Sequence, residues 1–279
     1  MTNPYLPIPV TIEEVTVEND LGDIKTFRLG FDRPEDAEGF QYLPGQFAEL
    51  SVLGTGESPI GIASSPTEKG HLLFSVKRMG LVTSELHASA PGRKMGVRGP
   101  MGHPFPWDRL EGKNVLIVSG GFAFTTLRSA ITYMMHDGNR RRFGRITAVY
   151  GAREPGELLY KDPIRQWQAS PQITFVPTID RPKDGWTGRV GLVPNVVKEL
   201  APSADGTLAL VCGPPIMIRF TIPVLLELGF SKEDIILSLE NRMKCGIGKC
   251  GRCNVGTRYV CLDGPVFTYA QLEKLPPEY

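Results

Sequence analysis

Four of the five cysteines fall within seventeen residues, and no other feature restricts the fold as tightly. They read Cys245-Gly-Ile-Gly-Lys-Cys250-Gly-Arg-Cys253, then Cys261, a C-x4-C-x2-C-x7-C spacing with Gly246, Gly248 and Gly251 between them. A segment this short and polar cannot build its own apolar core and needs a staple. An odd cysteine count is a poor disulfide framework, so the expected staple is a metal or a metal cluster. Thiolate ligation fits a reducing compartment, so a cytoplasmic location is expected.

The C-x4-C-x2-C part matches the plant-type [2Fe–2S] pattern, although the fourth cysteine lies nearer than in that pattern. The glycines let the backbone wrap closely and aim N–H groups at sulfur. Structural zinc is the rival. A zinc ribbon usually carries two C-x2-C knuckles, and only one is present. Cys212 stands apart at a strand end, where a lone cysteine reads as a small buried hydrophobe.

Ahead of the cysteines the chain changes pattern once. Up to Trp107 it shows short alternating or β-branched runs, such as Ile24-Lys-Thr-Phe-Arg-Leu-Gly-Phe, punctuated by Pro44-Gly45 and Pro91-Gly92. Many short strands with turn signals predict a small antiparallel barrel. From Asn114-Val-Leu-Ile-Val-Ser-Gly-Gly onward, strand and helix patterns alternate up to Ile235-Ile-Leu-Ser-Leu, which predicts βαβ units on a parallel sheet. The expected division is residues 1–107, 112–238 and 239–279.

With 31 Lys and Arg against 30 Asp and Glu, the formal charge is +1, which offers no basis for a nucleic-acid surface. The longest apolar stretch, 216–230, contains Arg219, Pro223 and Glu227, so no membrane insertion is expected. The start, Met1-Thr-Asn-Pro-Tyr-Leu-Pro, lacks the features of a secretory leader. The four histidines are scattered without metal-ligand spacing.

An iron–sulfur cluster exchanges single electrons, whereas a nicotinamide exchanges a hydride, so a chain joining the two needs a flavin. The order of motifs agrees. Leu43-Pro-Gly-Gln-Phe47, Ser58-Pro-Ile-Gly-Ile-Ala-Ser-Ser65, Ser75-Val-Lys77 with Gly80 to Ser84, and Gly99-Pro-Met-Gly102 occupy the first part. Ser119-Gly-Gly-Phe-Ala-Phe-Thr-Thr-Leu-Arg128, Tyr150-Gly-Ala-Arg153, Leu158-Leu-Tyr160 and Cys212-Gly-Pro-Pro-Ile-Met217 occupy the second. Ser238-Leu-Glu-Asn-Arg-Met-Lys-Cys245 leads into the cysteines. Across nearly its full length the chain resembles the ferredoxin-NADP reductase superfamily. Within it, the chain is most similar to dihydroorotate dehydrogenase electron-transfer subunits, sulfhydrogenase γ subunits and anaerobic sulfite reductase B subunits.

The resemblance implies a flavin-binding barrel, a nucleotide-binding α/β domain and a [2Fe–2S] lobe. It implies FAD contacts from Pro59, Ile60, Gly61, Ile62, Ser75, Val76, Lys77, Gly80, Val82, Thr83 and Ser84. It implies NAD(P) contacts from Gly120, Gly121, Ala123, Arg153, Gly213, Pro214 and Met217, with Cys212 as a catalytic group facing the nicotinamide. Cys245, Cys250, Cys253 and Cys261 would ligate the cluster. On the residues alone, Thr83 and Ser84 read equally as helix capping and Lys77 as a solvated lysine. The chain departs from the family at Ser58 for arginine, Gly61 for a hydroxyl residue, Ala123 for glycine and Thr126 for proline.

The expected function is an electron-transfer subunit working with NAD(P)H, FAD and a [2Fe–2S] cluster. Its partner by resemblance is a hydrogenase, a sulfite or heterodisulfide reductase, or a dihydroorotate dehydrogenase subunit. Ala123 and Thr126 motivate an alternative in which nicotinamide binding is lost and electrons move only between proteins. A third reading is a zinc-stapled interaction module without catalysis.

Overall fold

The computed structural model describes residues 3–276. Met1, Thr2 and residues 277–279, the outer limits of the first and last expected regions, lie outside the described residues.

Alternation builds the first sheet. Phe27 and Leu29 point inward from β2 (Ile24–Phe31), as do Leu72, Phe74 and Val76 from β5 (His71–Lys77). Val10 and Ile12 come from β1 (Ile8–Val17), Leu50 from β3 (Phe47–Val52) and Val97 from β6 (Lys94–Met101). With β4 (Gly56–Gly61) these strands run in the order β4-β3-β6-β1-β2-β5, every pair antiparallel. Just beyond β4, the Ala63 N–H donates to Leu73 O at 2.9 Å and begins to close the sheet on itself. Two short helices, α1 (Pro34–Gly39) and α2 (Leu81–His87), lie in the connections, and α3 (Trp107–Leu110) leads out of the barrel.

The continuous apolar runs form the second sheet, because strands covered on both faces need no polar side. Its parallel strands are β7 (Asn114–Gly120), β8 (Ile146–Ala152), β9 (Thr174–Ile179), β10 (Arg189–Val190), β11 (Thr207–Cys212) and β12 (Ile235–Ser238). The helices between them are α4 (Phe124–Met135), α5 (Asp137–Arg140), α6 (Lys161–Ala169), α7 (Val193–Leu200) and α8 (Pro215–Glu227). The remaining elements are β13 (Asn254–Val255), β14 (Arg258–Tyr259), α9 (Val260–Asp263), β15 (Val266–Thr268) and α10 (Tyr269–Leu272).

The sheet order is β10-β9-β8-β7-β11-β12-β15. Strand order reverses between β7 and β11, so the crevice beyond their C-terminal ends is where an open α/β sheet binds ligands.

The expected separation at residue 239 is not clean. β15 pairs antiparallel with β12, Leu237 opposite Phe267, and the lobe residues Val255, Val260, Cys261 and Phe267 share one core with Val211, Ile235 and Leu237. Left alone, β12 would present a bare sheet edge, and β15 covers it. The GPMG turn joins the barrel to the same lobe: the His103 N–H donates to Gly264 O, and a Cβ on Gly102 would meet Pro265 Cδ at 2.6 Å.

Candidate functional site

The cysteine loop is organised around sulfur. Gly248 N–H donates to Cys261 Sγ at 3.2 Å, and the N–H groups of Lys249 and Cys250 donate to Cys245 Sγ at 3.3 and 3.4 Å. The thiols pair two and two. Cys253 and Cys261 stand 3.3 Å apart, and the Cys250 thiol donates to Cys245. Burial opposes ionisation of Cys245, but backbone N–H groups, those of Ile247, Cys250 and Lys249, pull its thiol down to about 7. Burial and the neighbouring Cys253 push Cys261 up to about 12. Positive charge from bound metal would draw the proton off such a thiol. The four cysteines expected as ligands share this loop and the short helix after it, with Cys250 exposed and Cys253 and Cys261 buried, but among the described residues no three of them converge as a ready metal-holding group.

Beneath this loop lies a group the sequence reading missed. Glu49 on β3 is wholly buried, and among the described residues neither carboxylate oxygen has a hydrogen-bond partner. A Cβ on Gly246 would come within 3.3 Å of Glu49 Oε1. The nearby Arg98 is committed elsewhere, to Glu57 at 2.6 and 2.8 Å, to Pro4 O, and to Cys245 O at 3.4 Å. Burial raises the Glu49 carboxyl to about 8, against the opposing pull of Arg98. Glu49 shares one face of β3 with Phe47 and Ser51, and Gly246 of the cysteine loop lies against it.

The segment expected to carry the flavin, Pro59 to Ile62, ends β4, an edge strand with one side of its backbone outside any ladder. Pro59, Ile60 and Gly61 are half-buried and Ile62 is buried. Such an edge suits a flat ring held through main-chain groups, and lacks nothing that the absent arginine at Ser58 would have supplied to the backbone. Gly61 faces α4: a Cβ there would meet Thr126 Oγ1 at 3.1 Å. The two departures at Gly61 and Thr126 are therefore neighbours, with the Thr126 hydroxyl standing in the direction a side chain at 61 would take.

Three expected flavin contacts are committed differently. Ser75 is buried, with its hydroxyl bonded to Tyr160 Oη and, at 2.7 Å, to Thr26, so it faces the central domain. Thr83 accepts from the N–H groups of Met79 and Gly80, both at 2.9 Å, and donates to Gly80 O. That hydroxyl holds the turn before α2. Lys77 lies 3.8 Å from Asp23. Val76 is buried in the barrel core, Val82 packs near Gly56, and Ser84 is exposed beside Gly80 at the head of α2.

At the reversal of strand order lies a cavity of about 680 Å³. Gly120, Phe122, Ala123, Cys212, Gly213, Pro214 and Glu240 line it, with residues of α8 and the C-terminal segment opposite. Ala123 has a φ of −63°, an ordinary right-handed conformation, so replacing glycine here introduces no backbone strain. Phe124 does not obstruct the cavity, because it is buried and stacked on Tyr150 at 3.9 Å.

Met217 is not a wall of this cavity. It packs across both loops: a Cβ on Gly120 would meet its Sδ at 2.7 Å, and one on Gly213 its Cε at 2.2 Å. The flexible end of Met217 fills the space beside both glycines, so a Cβ at either position would have to displace it. Gly121, with φ 57°, is the one loop position needing glycine's own conformation. Arg153 is exposed and ion-paired to Glu157 at 3.1 Å, away from the cavity wall.

Cys212 is buried and its thiol donates to Ser238 O at 3.4 Å. Burial, with Glu240 nearby, pushes it up to about 12, so it is a neutral thiol and no nucleophile. Glu240 opens onto the cavity, and desolvation by the surrounding walls holds its carboxyl above the ordinary range. Arg128, quoted in the loop motif without a role, locks the two domains: it donates to Ala63 O at 2.8 Å and clasps Glu68 at 2.9 and 3.0 Å. Ser129 donates to Ser64 O beside it.

Barrel, doubly wound sheet and cysteine lobe in this order define a flavoprotein reductase of the ferredoxin-NADP reductase type with an iron–sulfur lobe attached. Comparison with known proteins agrees along the chain. The oxidoreductase FAD-binding domain matches residues 12–105, the oxidoreductase NAD-binding domain 117–222, and the iron–sulfur cluster binding domain of dihydroorotate dehydrogenase B 240–273. The sulfhydrogenase 1 subunit gamma of Pyrococcus furiosus is 37% identical, over 98% of this chain and 94% of that protein. A probable dihydroorotate dehydrogenase B (NAD(+)) electron transfer subunit of Thermococcus kodakarensis is 34% identical, over 92% and 94%. A solved chain from an NADH-dependent reduced ferredoxin-NADP oxidoreductase superposes with a TM-score of 0.75 at 25% identity, covering 99% of this chain and 91% of that one.

The chain belongs to the family of oxidoreductase electron-transfer subunits that includes these sulfhydrogenase and dihydroorotate dehydrogenase subunits, with FAD-binding, NAD-binding and iron–sulfur domains. Among the described residues, no helix is long and apolar enough to cross a membrane.

Proposed function

We propose that this chain takes electrons from a nicotinamide dinucleotide at the cavity beside Cys212 and delivers them singly to a protein partner from a [2Fe–2S] centre on Cys245, Cys250, Cys253 and Cys261. The observation that carries this reading is the two-and-two pairing of the thiols beneath backbone N–H donors. A two-iron core takes two thiolates on each iron, whereas a single zinc ion draws four ligands to one point. Bound FAD would supply the exchange between hydride and single-electron chemistry.

The chain's own residues then divide the work. The free edge of Pro59, Ile60 and Gly61 would hold the flavin ring, with Val76, Lys77, Gly80, Val82 and Ser84 toward its phosphate end. Gly121, Ala123, Gly213 and Pro214 would receive the dinucleotide, and the neutral thiol of Cys212 together with Glu240 would wall its reacting end. Arg128 keeps barrel and sheet in fixed register, so that both sites stay facing. The partner is a catalytic subunit of the kind that relatives serve, a hydrogenase or a dihydroorotate dehydrogenase. Four thiols committed to iron support a reducing, cytoplasmic setting.

Metal and sulfide analysis with electron paramagnetic resonance of the dithionite-reduced protein tests the cluster. The expected result is about two iron and about two sulfide per chain with a half-integer-spin signal. Colourless protein carrying one zinc would overturn it.

A further inference from the structure

Strand β4 and helix α4 meet across the interdomain cleft at Gly61 and Thr126. A Cβ on Gly61 would stand 3.1 Å from Thr126 Oγ1, tighter than an ordinary contact. Gly61 lies in a strand and lacks the left-handed backbone that calls for glycine. What it supplies is room for the hydroxyl opposite.

That hydroxyl is uncommitted. A threonine inside a helix can turn its hydroxyl back onto the carbonyl four residues earlier, as Thr221 in α8 does to Met217 O at 2.8 Å. Thr126 is half-buried, and among the described residues its hydroxyl has no hydrogen-bond partner. Its place is nonetheless fixed. On the same helix Arg128 donates to Ala63 O and Ser129 donates to Ser64 O, so α4 is tied to the chain just beyond β4. Ala123, one turn earlier, lines the cavity at the reversal of strand order. Thr126 therefore stands between the free edge at Pro59 to Gly61 and the dinucleotide cavity.

We infer that Thr126 donates its hydroxyl to an acceptor atom of the flavin ring and thereby raises the reduction potential of the bound FAD. The inference rests on the flavin site proposed above and adds a contact made from the nucleotide-binding domain. Gly61 and Thr126 work as one device: the strand leaves the space and the helix fills it with a donor. Reduction adds electron density to the acceptor atoms of the ring. A hydrogen bond to a charged acceptor is stronger than one to a neutral acceptor, so the hydroxyl favours reduced over oxidised FAD.

The test is an anaerobic potentiometric titration of the holoprotein with dithionite, following flavin absorbance, so it needs no nicotinamide. Thr126→Val keeps the shape and removes the hydroxyl. It should lower the preference for reduced over oxidised FAD about tenfold, a fall of about 30 mV for a two-electron couple. Thr126→Ser should hold the potential of the unaltered protein. Gly61→Ser combined with Thr126→Val moves the hydroxyl onto the strand and should restore it. An unchanged flavin potential in Thr126→Val would overturn the inference. So would a fall that Thr126→Ser shares and Gly61→Ser does not reverse, because the packing of α4 and not the hydroxyl would then set the potential. Unaltered protein that shows no flavin absorbance after reconstitution with FAD would overturn the flavin site itself.

Discussion

In the cysteine loop, Gly246, Gly248 and Gly251 have φ values of 69°, 70° and 71°, whereas in the nucleotide loop Gly121 alone, at 57°, occupies that region. The first loop bends through left-handed positions so that its N–H groups reach sulfur. The second loop spends its other glycines on close packing, Gly120 and, from the next strand, Gly213 against Met217. A glycine lost from the first loop removes a conformation. A glycine lost from the second, as at Ala123, removes only space, and the backbone at −63° accommodates alanine. Glycine-rich motifs with similar composition therefore tolerate substitution very differently.

The sharpest break in this comparison is at sulfur. Cys253→Ser should abolish the cluster signal and leave FAD absorbance in place, because the main core cluster of the barrel contains no residue of the cysteine loop. Loss of flavin with retention of iron would reverse the assignment. Next comes Gly248→Ala. A Cβ there would meet Leu262 Cδ1 at 2.1 Å in a left-handed backbone. The expected cost is about 3 kcal/mol, combining backbone strain and overpacking. Thermal unfolding and iron content report it, and adding Leu262→Ala should recover only the packing share.

Glu49 gives an intermediate effect through pH. Its carboxyl stays protonated in the fold up to about 8 and ionises near 4.5 when exposed on unfolding. The unfolded state therefore binds fewer protons between those values, and stability falls as pH rises through that window. Glu49→Gln removes the titration, so the fall in stability between pH 5 and 8 should shrink by on the order of 2 kcal/mol. Equal slopes in the two proteins would show that Glu49 does not carry the effect. The smallest change is expected at Ala123→Gly. Equilibrium dialysis with NADH should show less than about a threefold change in affinity, under 1 kcal/mol. A tenfold gain would mean that the alanine does obstruct the dinucleotide.

The barrel and the central sheet were legible because their periodicities differ and because Gly and Pro mark the turns. The alternation of strand and helix from residue 114 to 239 is the one the pattern predicts. The four cysteines were legible as a unit because their chemistry is local in sequence. What escaped depends on contacts distant along the chain. β15 is three residues long, and only its pairing with β12 makes it a strand. Ser75 and Thr83 carry the right atoms for phosphate, but Tyr160, 85 residues away, and the turn at Met79 and Gly80 claim them first. Glu49 looks like any outward carboxylate on an alternating strand, and only the fold brings Gly246 against it. The neighbouring departures at Gly61 and Thr126 lie 65 residues apart in sequence and meet only across the interdomain cleft.

The central claim is that one chain connects a nicotinamide site to a cluster exit. Anaerobic addition of NADH or NADPH to the purified protein, followed by visible absorbance and low-temperature electron paramagnetic resonance on the same sample, tests it most directly. The account predicts that one of the two bleaches the flavin and brings up the reduced-cluster signal, and that in Cys253→Ser the bleaching persists without that signal. If dithionite reduces both centres while neither nucleotide reduces either one, the nicotinamide site at the Cys212 cavity is closed and the account is contradicted.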